Sequence, residues 1–105
     1  MKKLKLNPNP TFLLPVAVPV PGEAAPTEIK LVVKYRNLDE LQVFATELSE
    51  KPLDQAINEI VTDWEGVDED FSADALATLL KNYPSVNSVI LEAYFLESHK
   101  ARRKN

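Results

Sequence analysis

Residues 12–36 read F-L-L-P-V-A-V-P-V-P-G-E-A-A-P-T-E-I-K-L-V-V-K-Y-R. In the first part the even positions Phe12, Leu14, Val16, Val18 and Val20 are all apolar, the period-2 pattern of a strand with one buried face. N–H groups of one parity in a strand point to one edge. Pro15 and Pro19 therefore remove donors from the same edge, which is expected to be the unpaired one. Pro21 and Gly22 open a loop to Thr27. From Glu28 to Arg36 the alternation resumes, with Ile29, Leu31, Val33 and Tyr35 on one face and Glu28, Lys30, Lys34 and Arg36 on the other. Val32 breaks the charged face. Two such strands make an antiparallel hairpin, and an isolated hairpin is marginal in water, so its apolar face must pack on the rest of the chain. Leu4 and Leu6 offer a further short strand.

Beyond Arg36 the chain reads as helical. Asn37 with Glu40 three residues on is an N-cap and capping-box pair for a helix to about Glu50, with Leu38, Leu41, Phe44, Ala45 and Leu48 on one stripe. Pro52 suits the first turn of a second helix. In it Leu53, Ala56, Ile57, Ile60, Val61 and Trp64 recur at steps of three and four, an amphipathic stripe that runs to Gly66. Val67 to Phe71 is an acidic loop. Ser72 caps a third helix ended by Tyr83-Pro84, because the residue before proline is driven out of the helical region. Ser85 opens a last helix carrying Val86, Val89, Ile90, Ala93 and Tyr94. The expected fold class is α+β, an N-terminal antiparallel β-hairpin packed against about four α-helices. Residues 1–105 form a single domain, with 12–36 the hairpin, 37–100 the helical part, and 1–11 and 101–105 flexible ends.

Composition narrows the chemistry. A chain of 105 residues without cysteine has no disulfides and no thiol chemistry. Two glycines against eight prolines exclude a glycine-rich phosphate loop. The net charge of −4 hides three blocks: six basic against two acidic residues through Leu38, twelve acidic against one basic from Asp39 to Asp74, and five basic against two acidic from Ala75 on. An acidic middle between basic ends suits docking to a partner or to a second copy, while charge solvated on helix faces is the plainer reading. Lys2, Lys3 and Lys5 ahead of Phe12–Val20 imitate a secretory signal, but Pro15 and Pro19 break the helix that a signal core needs. No apolar run approaches the roughly 20 residues of a membrane span, so a cytoplasmic protein is expected.

No catalytic set emerges. The acids Asp63, Glu65, Asp68, Glu69, Asp70 and Asp74 fail as an EF-hand loop, since a frame from Asp68 puts Ala73 where glycine is required and Leu79 where the bidentate acid belongs. A solvated loop feeding a helix N-terminus accounts for them, with weak cation binding as the alternative. His99 lacks an evident orienting acid. No cofactor, metal or catalytic residue is assigned. Tyr94 and Phe95 are adjacent on one helix and cannot both face the core, so one of them is a partner-contact candidate. Val32 is another. The tail residues Arg102 and Arg103, with Lys100 and Lys104, could touch a partner, but four charges behind an acidic domain do not make a specific nucleic-acid site.

One further pattern spans the chain. From Asp63 to Asn105 an acidic turn around Trp64 and Gly66 leads into a helix stopped by Tyr83-Pro84, a second apolar helix and a basic end. Phe12 to Pro21 is an extended segment of the form Phe-x-x-x-Val-x-Val-Pro. The combination resembles the short tail assembly chaperones of long-tailed bacteriophages and prophages. The resemblance implies a non-catalytic protein that binds the tape measure protein and the tail tube protein during assembly, keeps the apolar tape measure soluble, and is absent from the finished virion. It also implies a longer form made by a −1 frameshift, which A-rich codons for Lys104-Asn105 would permit. The rival readings are a minor structural tail subunit and a small DNA-binding regulator.

Overall fold

The computed structural model describes residues 3–99. The chain runs β1 (Thr11–Val18), β2 (Thr27–Lys34), α1 (Leu38–Glu47), α2 (Leu53–Ile60), β3 (Val61–Glu65), α3 (Ala73–Asn82) and α4 (Val86–Ser98). It is the expected α+β arrangement with an N-terminal hairpin. The hairpin pairs Thr11 with Lys34 through Val18 with Thr27, in unbroken antiparallel register. Pro21-Gly22 makes its turn: Gly22 takes φ +86 and the Glu23 N–H donates to the Val20 carbonyl at 3.1 Å. A proline followed by a residue at positive φ is the arrangement this kind of turn requires.

One expectation is overturned. The stripe from Leu53 to Trp64 is not one helix. α2 stops at Ile60, and Val61 turns at once to an extended conformation, φ −90 and ψ 126. The next five residues form β3, antiparallel to β2 in a sheet ordered β1-β2-β3. Val61 pairs with Val33, Asp63 with Val32 and Trp64 with Leu31, with a register shift between Val32 and Val33. An unbroken strand would send Val61 and Trp64 to opposite faces. The extra residue of the bulge resets the parity, so both side chains point into the core. Leu4 and Leu6, 94% and 89% exposed, form no strand.

The core lies between one face of the sheet and the helices. Leu14, Val16 and Val18 of β1, Ile29, Leu31 and Val33 of β2, and Val61 and Trp64 of β3 are buried. Against them pack Ala56, Ile57 and Ile60 of α2, Leu76 and Leu80 of α3, and Val86, Ile90, Leu91 and Tyr94 of α4. Each large side chain so buried contributes about 1.5–3 kcal/mol gross. α1 enters through Leu41 and Phe44 only. Leu38, assigned to the same stripe from sequence, is 56% exposed because it sits at the first helical position, a turn short of the core. Tyr35 lies just beyond the last β2 pair and is 41% exposed rather than inward.

Local signals at the helix starts hold. Asn37 and Glu40 form the reciprocal capping box, each bond 2.9 Å, and the Ser72 hydroxyl accepts from the Ala75 N–H at 3.0 Å. Lys51 clasps α1 to α2 through Glu59 at 2.6 Å and Glu47 at 3.4 Å.

Candidate functional site

An aromatic cluster closes one end of the core. The Tyr94 ring stacks on Phe12, centroids 6.1 Å apart, and meets Phe44 edge-on at 5.8 Å. Phe95 lies 5.8 Å from Phe44, and the Arg36 guanidinium sits 5.1 Å over the Phe44 ring. The Tyr94 hydroxyl donates to the Lys34 carbonyl at 2.7 Å. β1, β2, α1 and α4 therefore meet at one side chain. Tyr94 has no exposed surface and in this fold cannot touch a partner, which removes it from the contact residues expected from sequence. Phe95, its neighbour, is half-buried. Its ring stacks on that of His99 at 6.4 Å, and His99 Nδ1 lies 3.0 Å from the Phe95 carbonyl. Arg102 and Arg103 lie outside the described residues.

Burial raises the Tyr94 pKa, and the nearby Arg36 cation works against that rise. An unfolded tyrosine titrates near 10. A folded value above the unfolded one stabilises the fold fully below about pH 10 and loses that contribution as pH climbs through the folded value. Tyr94→Phe should therefore destabilise by about 0.5–1.5 kcal/mol at neutral pH, the worth of one buried hydrogen bond. Urea titrations above pH 10 should show wild type approaching the variant. A gap that stays constant with pH would exclude titration of Tyr94.

The acidic segment gathers no ligand set: among the described residues no three His, Cys, Asp or Glu side chains come together as a metal would need. Trp64 instead organises the loop. Its Nε1–H donates to the Glu69 carbonyl at 2.9 Å, and its ring meets Phe71 edge-on at 5.2 Å.

The remaining candidate surfaces are apolar. The helices cover one face of the sheet, and the other presents Leu13, Pro15, Ala17 and Val32 between Lys30, Lys34, Asp63 and Glu65. Leu13 is 49% exposed and lies directly across from the half-buried Val32. A groove of about 320 Å³ runs past Leu13, Phe12, Tyr35 and Glu97. On α1, Val43 is 58% exposed beside Arg36, Asp39 and Glu40. A broader groove of about 600 Å³ lies between Leu53, Lys81, Pro84 and Asn87. Sequence alone had singled out Val32 but not Leu13 or Val43. The signal for Leu13 was present, an apolar residue on the outward parity of a strand. Among the described residues no helix is long and apolar enough to cross a membrane. These surfaces offer apolar area bordered by charged side chains, which suits apolar or mixed segments.

Comparison with known proteins finds no match among curated proteins or solved structures. A family model described as phage tail assembly chaperone matches residues 1–105. A match over the whole length, to a family that the Trp64–Gly66 turn, the Tyr83-Pro84 break and the Phe12–Pro21 segment had already suggested, places this chain in the phage tail assembly chaperone family.

Proposed function

We propose that this protein acts without catalysis in the bacterial host cytoplasm, binding the tape measure protein and recruiting tail tube subunits while the tail is assembled. The observation that carries this reading is the full-length family match. The exposed apolar positions agree with it. Leu13 and Val32 on the open sheet face, Phe95 on α4, and Leu38 and Val43 on α1 offer apolar area ringed by charge, the kind of surface that can shield the apolar stripe of a client helix. Val32 and Phe95 remain proposed contacts, as do Arg102 and Arg103 in the basic tail.

The test is co-expression with the tape measure protein, scoring that client's solubility and its co-purification. A soluble client eluting with this chain is the expected result. An insoluble client and no complex would overturn the assignment. The chain turning up as a component of purified particles would favour a structural tail subunit instead.

A further inference from the structure

Both edges of the sheet are closed to a further strand. The Tyr35 N–H donates to the Pro10 carbonyl at 2.8 Å, which sets the phase of the β1–β2 ladder and turns the backbone groups of Thr11, Leu13, Pro15 and Ala17 to the free edge. On that edge the Pro15 ring stands where a ladder N–H would be. On the outer edge of β3 the Asp63 carboxylate accepts the Trp64 N–H at 2.8 Å, and Asp63 and Glu65 add charge. Whatever covers the open face of the sheet must therefore satisfy its own backbone hydrogen bonds, as a helix does.

The side chains on that face are sorted by strand. β1 contributes Thr11, Leu13, Pro15 and Ala17, all uncharged, and Val32 of β2 lies across from Leu13. Beside this apolar band stand Lys30 and Lys34 of β2, which hold no ion pair with any described residue. Asp63 and Glu65 lie one strand further out, opposite Val32 and Lys30. A second copy fits this map poorly. Laid face to face about an axis across the strands, it sets Asp63 and Glu65 on the same acids of its partner; about an axis along β2, it sets the apolar band on those acids.

We propose that the open face receives an amphipathic helix of the client, its apolar stripe on Leu13, Pro15, Ala17 and Val32 and carboxylates on its flank against Lys30 and Lys34. This assignment rests on the client-binding function proposed above and narrows it to one surface and one class of segment. Leu13 and Ala17, like Lys30 and Lys34, are four strand positions apart, about 13–14 Å. A helix rises about 1.5 Å per residue, so the residues that match them recur about nine positions apart on the client, two to three turns. The lysine stems extend the apolar floor while their ammonium groups reach the carboxylates.

The test compares full-length variants in co-expression with the tape measure protein and in binding to overlapping peptides of that protein. Peptides with an apolar stripe and Asp or Glu two to three turns apart on its flank should bind. Leu13→Lys and Ala17→Lys should each weaken that binding by about tenfold or more with an unchanged far-UV spectrum. Lys30→Glu with Lys34→Glu should weaken it by about tenfold, the worth of two exposed ion pairs, and Lys30→Arg with Lys34→Arg should retain it. A wild type that forms no complex with the tape measure protein overturns the client-binding function and this site with it. A wild-type complex that withstands Leu13→Lys and Ala17→Lys, or that is lost in Val43→Lys instead, overturns the site alone. Binding confined to peptides with a basic flank does the same.

Discussion

Tyr94→Ala is expected to lower the stability of the fold by about 3–5 kcal/mol, the range for removing a fully buried aromatic side chain. The ring has no exposed surface and touches Phe12, Phe44 and Phe95, which come from three different elements. Its loss opens a cavity that β1, α1 and α4 would each have to move to fill. It also strips the Lys34 carbonyl of the donor 2.7 Å away. A domain of this size is held by about 5–15 kcal/mol in total, so a large share of the stability rests on one side chain. Urea unfolding followed by the fluorescence of the single tryptophan measures it. A loss below about 1.5 kcal/mol would mean that α4 is not pinned to the sheet through this ring.

Trp64→Ala should cost a comparable amount, about 3–5 kcal/mol, and should also release the acidic loop. Trp64 is 8% exposed and joins β3 to the loop by its bond to Glu69 and its edge contact with Phe71. Far-UV circular dichroism replaces fluorescence here, because the substitution removes the fluorophore. Limited proteolysis at residues 66–71 should quicken in the variant before global unfolding does. Trp64→Phe separates the two effects: most of the packing stays, and the Glu69 carbonyl alone loses its partner, for about 1 kcal/mol. Equal losses for alanine and phenylalanine would show that the indole ring's packing is not what matters.

The same residue shows where reading the sequence reached its limit. Steps of three and four from Leu53 to Trp64 are what a helix produces, and they are also what a helix followed by a bulged strand produces. The bulge at Val61–Asp63 restores a three-residue spacing on the inward face, so Val61 and Trp64 remain in phase with Ile57 and Ile60. No local pattern separates these cases. Tyr94 and Phe95 posed a similar ambiguity. Two adjacent aromatics on a helix cannot both be central; Tyr94, a step of four beyond Ile90, is the buried one, and Phe12 and Phe44 close over it.

Sequence by itself determined the hairpin, its Pro21-Gly22 turn, the proline-marked free edge, the capping box and helix starts, and the family. Each of these is written in signals a few residues long: alternation, φ preferences, a side chain that reaches its own backbone, the order of motifs. Tertiary structure decided which strand closes the sheet and which exposed apolar residues share a surface. β2 has ladder groups on both edges, and the bonds offered by Lys30 and Val32 drew residues 61–65 out of the helix some thirty positions away. That competition is between segments remote in sequence, so its outcome appears only when the segments meet.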